Sequence, residues 1–220
     1  MNTDKNFIQK YKHALLPIAY FPVYMLAFTY LEANTPANYY IVHMKIDDSI
    51  PFCEYFIIPY LLWFFYIAAV VCTFIFLDKQ DFYKLCITLG TGMTLFLLIS
   101  FLIPNGHELR PVFFERDNIF VDMVKRLYAP DTPTNLFPSI HCYNSIMAHI
   151  AIANSRKLKK YTKLRLASLI LCTLIVLSTM FLKQHSAFDV ITAAALSAIM
   201  YCLVYKPQLV KLHKLSGDFV

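Results

Sequence analysis

Six apolar runs, each close to the length of a bilayer's hydrocarbon core, decide what this chain can fold into. They cover roughly residues 14–31, 57–77, 85–103, 136–153, 166–182 and 186–205. A helix needs about 20 mostly apolar residues to cross a membrane. In lipid no water serves the backbone N–H and C=O groups, so only helices and closed barrels can span. None of the runs alternates with the period of two that a barrel strand requires, so the runs read as helices. Composition agrees: 58% of residues are hydrophobic and only 15% charged, against about 25% charged in a soluble domain. The expected fold is all-α, a single six-span membrane domain over residues 1–220. The first run also has a signal-peptide reading, because Lys5, Lys10 and Lys12 precede it. Pro17 and Pro22 interrupt it, and "LEANTPANYY" offers no clean small-residue cleavage site, so it is kept as a span.

Charge sets the expected orientation, since Lys and Arg accumulate in cytoplasmic loops. One side carries Lys5, Lys10 and Lys12, then Lys79 and Lys84, then Arg156, Lys157, Lys159, Lys160, Lys163 and Arg165, and finally Lys206, Lys211 and Lys214. The other side carries Lys45, Arg110, Arg116, Lys125, Arg126 and Lys183. Of the acidic residues, Asp4, Asp78, Asp81 and Asp218 fall on the basic side and all others lie opposite. Both termini are therefore expected in the cytoplasm, in a multi-pass protein of a bacterial plasma membrane. The net charge of +6 is a topology signal and not a nucleic-acid footprint. The six cysteines stand singly, with no C-x-x-C pair, which gives neither a disulfide framework nor a zinc site. No cofactor and no metal is expected.

Two loops on the less basic side are long. One, 32–56, holds Glu32, Asp47, Asp48 and Glu54. The other, 104–135, is punctuated by four prolines and contains "DNIFVDMVKRLY", whose apolar residues repeat at helical spacing. That predicts a short interfacial helix over 117–128, with Asp117 placed to cap it.

Polar groups inside or at the rim of a span are costly and mark function by default. Three clusters reach the same expected face: "NGHELRP" (105–111), "PSIHC" (138–142) and "STMFLKQHSAFD" (178–189). Ser178 and His185 are seven apart, two turns on one face of a continuing helix. His185 and Asp189 are four apart, so the carboxylate can fix the imidazole tautomer and leave the other nitrogen free as nucleophile or base. Alone, a histidine at a span end is more often interfacial filler. Together, His141, His185, Asp189 and Arg110 form a set. Arg110 and Lys183 supply positive charge, backbone amides near Ser139 form an anion site, and two imidazoles supply a nucleophile and an acid. That is equipment for phosphoryl transfer without a metal.

At these residues the chain resembles the type 2 phosphatidic acid phosphatase superfamily. The family signature has three parts: Lys, six residues, Arg-Pro; then Pro-Ser-Gly-His; then Ser-Arg, five residues, His, three residues, Asp. Arg110-Pro111, Pro138, Ser139 and His141, and Ser178, His185 and Asp189 match in order. Ile140 replaces the glycine, Ile103 the lysine and Thr179 the arginine. "PSIH" with "KQHSAFD" resembles the inositol phosphorylceramide synthase-like branch. The resemblance implies that His185 forms a phosphohistidine, Asp189 orients it and His141 protonates the leaving alcohol. Arg110, Ser139 and Ser178 hold or support the phosphoryl oxygens, with Lys183 and Arg116 as substitutes for the two missing cations. No family position demands His107. His149 reads as a packed polar residue, and Asn135 and Asn144 as candidate cleft linings.

The implied substrate is an amphiphilic lipid phosphate such as phosphatidic acid, phosphatidylglycerol phosphate or a polyprenyl diphosphate, met at the extracytoplasmic face together with other membrane lipids. Hydrolysis is the first reading. The alternatives are transfer of a phosphoryl or phospho-headgroup to an alcohol, and a non-catalytic lipid-binding membrane protein. A transporter fits less well, because the polar residues gather at one face and form no path across.

Overall fold

The computed structural model describes Gln9 and residues 11–206. The terminal charges Asp4, Lys5, Lys10, Lys211, Lys214 and Asp218 lie outside the described residues. Five long helices form: α1 (Leu15–Ala33), α2 (Ile57–Leu77), α3 (Lys79–Leu102), α6 (Thr162–Phe181) and α7 (Ala187–Met200). A short 3-10 turn, Lys12–Ala14, leads into α1, and a π turn, Tyr201–Tyr205, extends α7. With their flanking turns, these five are long and apolar enough to cross a membrane. Two further helices are α4 (Ile119–Tyr128) and α5 (Ile140–Asn154). A two-residue parallel ladder joins β1 (Tyr40–Ile41) to β2 (Asn105–Gly106).

The fourth apolar run differs from expectation. Residues 136–139 stay outside the helix, and Phe137–Pro138 is a cis peptide. Ser139 caps α5 at the helix start, its Oγ accepting from Cys142 N–H at 3.3 Å. The 15 residues that follow rise only about 22 Å at 1.5 Å each. α5 is the central helix, packed by α2, α3, α6 and α7. Nine of its residues are buried, among them Cys142, Tyr143, Asn144, Ser145 and Met147. A helix hydrophobic all round is the kind that other helices enclose. Gly92 of α3 permits one such contact, because a Cβ there would overlap the Tyr143 ring. The ring then reaches past it to donate from its hydroxyl to Thr88 C=O at 2.7 Å.

Two local expectations are corrected. Asn118, not Asp117, caps α4: its side-chain oxygen accepts from the N–H groups of Phe120 and Val121, both at 3.0 Å. α4 buries Val124 in one apolar cluster with Ile57, Tyr60 and Leu182, and so lies over the N-terminal end of α2. Second, Ser178 and His185 do not share a helix. α6 ends at Phe181, Lys183 turns the chain at φ 51, and Ser186 caps α7.

The bundle has two distinct ends. At one, His13 Nε2 bonds Ile75 C=O at 3.1 Å, Lys157 pairs with Asp78 at 3.8 Å and Lys84 lies over the Tyr205 ring. Segments 12–14, 78–84, 155–161 and 201–205 thus meet at one end. The β ladder, the buried acids Asp47 and Glu54 and the 182–186 turn lie at the other.

Candidate active site

Three segments converge at that second end, each held by backbone bonding. In the first, Asn105 Oδ1 accepts from the N–H groups of Leu136 (2.9 Å) and Phe137 (3.0 Å), which ties 105–110 to the approach to α5. Asn135 adopts φ 55, a conformation asparagine tolerates, and donates from Nδ2 to Glu32 Oε1 at 2.9 Å. In the third, the carbonyl of Thr179 accepts from both Gln184 N–H (2.9 Å) and His185 N–H (3.0 Å). The position where the family carries an arginine is therefore a buried threonine whose backbone shapes the His185 turn.

His185 is 6% exposed, and its Nδ1 lies 3.3 Å from Asp189 Oδ2. An ionised carboxylate only accepts, so Nδ1 carries the proton and Nε2 is left bare. The same Oδ2 accepts from Ser186 N–H at 3.0 Å, while Oδ1 is buried without a partner among the described residues. His141, in the first turn of α5, brings its ring centroid to 5.8 Å from that of His185. Tyr60 (4.6 Å) and Trp63 (4.3 Å) hold the His141 ring from the α2 side. Ser139 is fully buried, and its N–H reaches Asp189 C=O at 3.5 Å.

Arg110 enters from the first segment. Its Nη1 donates to the carbonyls of Asp131 (2.7 Å) and Tyr128 (3.4 Å), and its Nη2 to Gln184 Oε1 (2.5 Å). The guanidinium lies over the Tyr128 ring at 4.3 Å. Among the described residues Nε is buried with no partner, and Nη2 keeps a second N–H, so one edge of the fork is left for an anion. Burial pulls the Arg110 pKa below its ordinary value, with Asp131 opposing. Burial likewise raises the Asp131 carboxyl, and Arg110 and His185 pull it back.

Gln184 ties these parts together. Its Nε2 donates to Asp131 Oδ2 at 2.8 Å and its carbonyl accepts from His107 Nε2 at 3.0 Å. Leu109 N–H donates to His107 Nδ1 at 3.2 Å, so the ring is held as the Nε2–H tautomer. Burial lowers the His107 pKa to about 4. Sequence reasoning missed Gln184, Asp131, Tyr60 and Trp63. Only Gln184 carried a local signal, a polar amide set directly before the histidine. The other three arrive from distant segments.

The remaining candidates sit apart. Ser178 Oγ donates to Ile175 C=O at 2.6 Å within α6 and is fully buried. Lys183 Nζ donates to Asp47 C=O at 2.8 Å, and burial lowers its pKa. Arg116 Nε pairs with the buried Glu54 at 3.3 Å. His149 Nδ1 meets Ser168 Oγ at 3.0 Å deep in the bundle, and Asn144 is buried on α5. Among the described residues no group of three or more His, Cys, Asp or Glu side chains could hold a metal ion.

The arrangement suits group transfer through an imidazole: one ring oriented by a carboxylate, a second facing it, an open guanidinium edge and a helix N-terminus alongside. The profile of the PAP2 superfamily matches residues 85–211, which include every one of the three segments. No curated protein and no solved structure matches the chain.

Proposed function

The chain belongs to the PAP2 superfamily, whose members are lipid phosphatases or phosphotransferases, and from that premise we propose that it hydrolyses a lipid phosphate through a phosphohistidine. The observation that carries the proposal is the His185–Asp189 pair at 3.3 Å with the His141 ring 5.8 Å away. In the first step the bare Nε2 of His185 attacks phosphorus. The P–O bond to the lipid breaks, and protonated His141 gives its proton to the departing oxygen, releasing a neutral alcohol. Asp189 stabilises the positive charge on the phosphorylated ring. In the second step His141, now neutral, takes a proton from water as the oxygen attacks phosphorus and the P–N bond breaks. Phosphate leaves, and both imidazoles return to their starting states. Arg110 Nε–H and Nη2–H and the amides following Ser139 hold the phosphoryl oxygens. Ser178 supports the turn through its carbonyl, which accepts from Leu182 N–H. Lys183, bonded to the Asp47 carbonyl, and Arg116, paired with Glu54, act at one remove from the phosphate.

On this reading α5 is the fourth of six spans in one domain, with both termini in the cytoplasm and the site at the opposite face of a plasma membrane. The Lys and Arg distribution supports that orientation. A second reading has a specific observation behind it. Ile103 and Thr179 stand where the family has cations, and Asp131 lies 4.0 Å from Arg110. A single open arginine matches a phosphodiester monoanion better than a monoester dianion, which favours transfer of a phospho-headgroup to an alcohol. Release of inorganic phosphate from a panel of lipid mono- and diphosphates, by detergent-purified wild type and His185→Ala in EDTA, tests the first reading. Release by the wild type alone supports hydrolysis. No release, with headgroup exchange from a phosphodiester to added diacylglycerol, replaces it with transfer.

A further inference from the structure

A second feature lies at the opposite end of the bundle and takes no part in the chemistry above. Between α2, α6 and the 155–161 loop is an apolar cavity of about 240 Å³. Tyr66, Phe74 and Ser168 form its buried floor, and Ala69, Leu164 and Ala167 its exposed mouth. The mouth therefore opens sideways, where lipid surrounds the bundle. Small residues on both facing helices give the groove its depth. One polar feature breaks the floor: Ser168 Oγ lies 2.8 Å from Tyr66 Oη and 3.0 Å from His149 Nδ1. Such groups inside a membrane are costly and mark a use.

The rim is cationic. Leu158 and Leu164, which line the groove, alternate in sequence with Arg156, Lys159, Lys160, Lys163 and Arg165. Among the described residues Lys159, Lys160, Lys163 and Arg165 form no salt bridge, whereas Lys157 pairs with Asp78 and Arg156 acts on the same carboxylate. Arg165 is only partly exposed, and its Nε is buried without a hydrogen-bond partner among the described residues. An unpaired guanidinium donor beside a lipid-facing apolar groove matches a phosphate attached to an alkyl chain. The volume is below the ~300 Å³ at which pockets begin to enclose a drug-sized ligand, and suits part of a single chain.

We infer that this groove binds an anionic glycerophospholipid of the leaflet on the basic side, one acyl chain between α2 and α6 and its phosphate on Arg165 and the 156–163 lysines. The hydroxyl–imidazole chain at Ser168 meets the ester region. The lipid here is a bound partner, not the substrate, and the inference stands apart from the proposed reaction.

The test is photolabelling of the detergent-purified full chain by phosphatidylglycerol carrying a diazirine on its acyl chain. Label is expected on peptides holding residues 66–74 and 158–171. Unlabelled phosphatidylglycerol should compete and phosphatidylcholine should not. Arg165→Gln should reduce labelling roughly tenfold, the loss expected of a charge-assisted phosphate contact, and Ala69→Leu with Ala167→Leu should abolish it by filling the groove. His185→Ala should label as the wild type does, which separates this groove from the candidate active site. Thermal midpoints within the wild-type range show that the variants fold. Equal competition by phosphatidylcholine, or undiminished labelling of either folded groove variant, overturns the inference.

Discussion

Replacing Gln184 with alanine tests whether the Arg110 clamp is part of the machinery. Gln184 is 2% exposed, and the variant deletes two bonds to charged partners, Oε1 to Arg110 at 2.5 Å and Nε2 to Asp131 at 2.8 Å. Bonds to charged groups contribute about 1.5–3 kcal/mol each, so the pair is worth about 3–6 kcal/mol. The Asp131 side chain is 35% exposed and recovers part of that from water, which favours the lower end. On turnover, a freed Arg110 no longer presents its open edge at a fixed place. Loss of one charge-assisted phosphate contact lowers kcat/KM by roughly 10- to 150-fold. Gln184→Glu separates positioning from packing. Its size is unchanged, but it sets a second carboxylate 2.8 Å from Asp131 Oδ2, a repulsion of roughly 6 kcal/mol at an effective dielectric near 20. The two carboxyls then share a proton, and an O–H···O bond restores the clamp. Kinetics against pH should show Gln184→Glu recovering activity as pH falls, with Gln184→Ala recovering none. If Gln184→Ala keeps its thermal midpoint and stays within about twofold of wild type in kcat/KM, the clamp does not position Arg110.

Further outcomes follow from the same geometry. His141→Gln should slow the phosphorylation step on alkyl lipid phosphates by about 10²–10⁴-fold and on p-nitrophenyl phosphate far less, because that leaving group needs no acid; the rate of alcohol release in the first turnover, on the two substrates, checks it. Asp47→Asn should lower stability by about 2–4 kcal/mol, read as a thermal midpoint. That carboxylate accepts from Ser186 Oγ, Ala187 N–H and Met44 N–H at 2.5, 2.8 and 2.8 Å and so joins the 45–49 turn to the start of α7. His107 makes stability depend on acid. Its folded pKa of about 4 lies below the 6.5 of an ordinary imidazole. The unfolded chain therefore binds the extra proton between those values, and stability complete above about 6.5 falls by roughly 3 kcal/mol as pH approaches 4. His107→Gln should flatten that limb in a pH series of thermal midpoints.

The long helices were legible because lipid tolerates so little: residues 57–77 form α2 with the boundaries read from hydropathy. The fourth run was harder, since its first residues are apolar yet non-helical, held by Asn105 from 31 residues away. The cap of α4 fell one residue later than expected because Asn118 and Asp117 are equally good cap types, and only the path of the chain chooses. At the candidate site, His185 lies just before the cap of α7 and Asp189 in its first turn, four residues apart, so their spacing announced their contact. Arg110 and His141 reached the same place through tertiary packing, which order along the chain suggested but could not measure. Asp131, Tyr60 and Trp63 were silent for the same reason: each is ordinary in its own segment and gains meaning only from a partner more than 50 residues away.

The most direct test of a phosphohistidine at His185 is to trap it. Purified protein is quenched during turnover of a ³²P-labelled lipid phosphate and digested, and the labelled peptide is mapped. The account predicts alkali-stable, acid-labile label on His185, absent from His185→Gln. Rapid phosphate release with no label on any histidine, or turnover that survives His185→Gln, would contradict it.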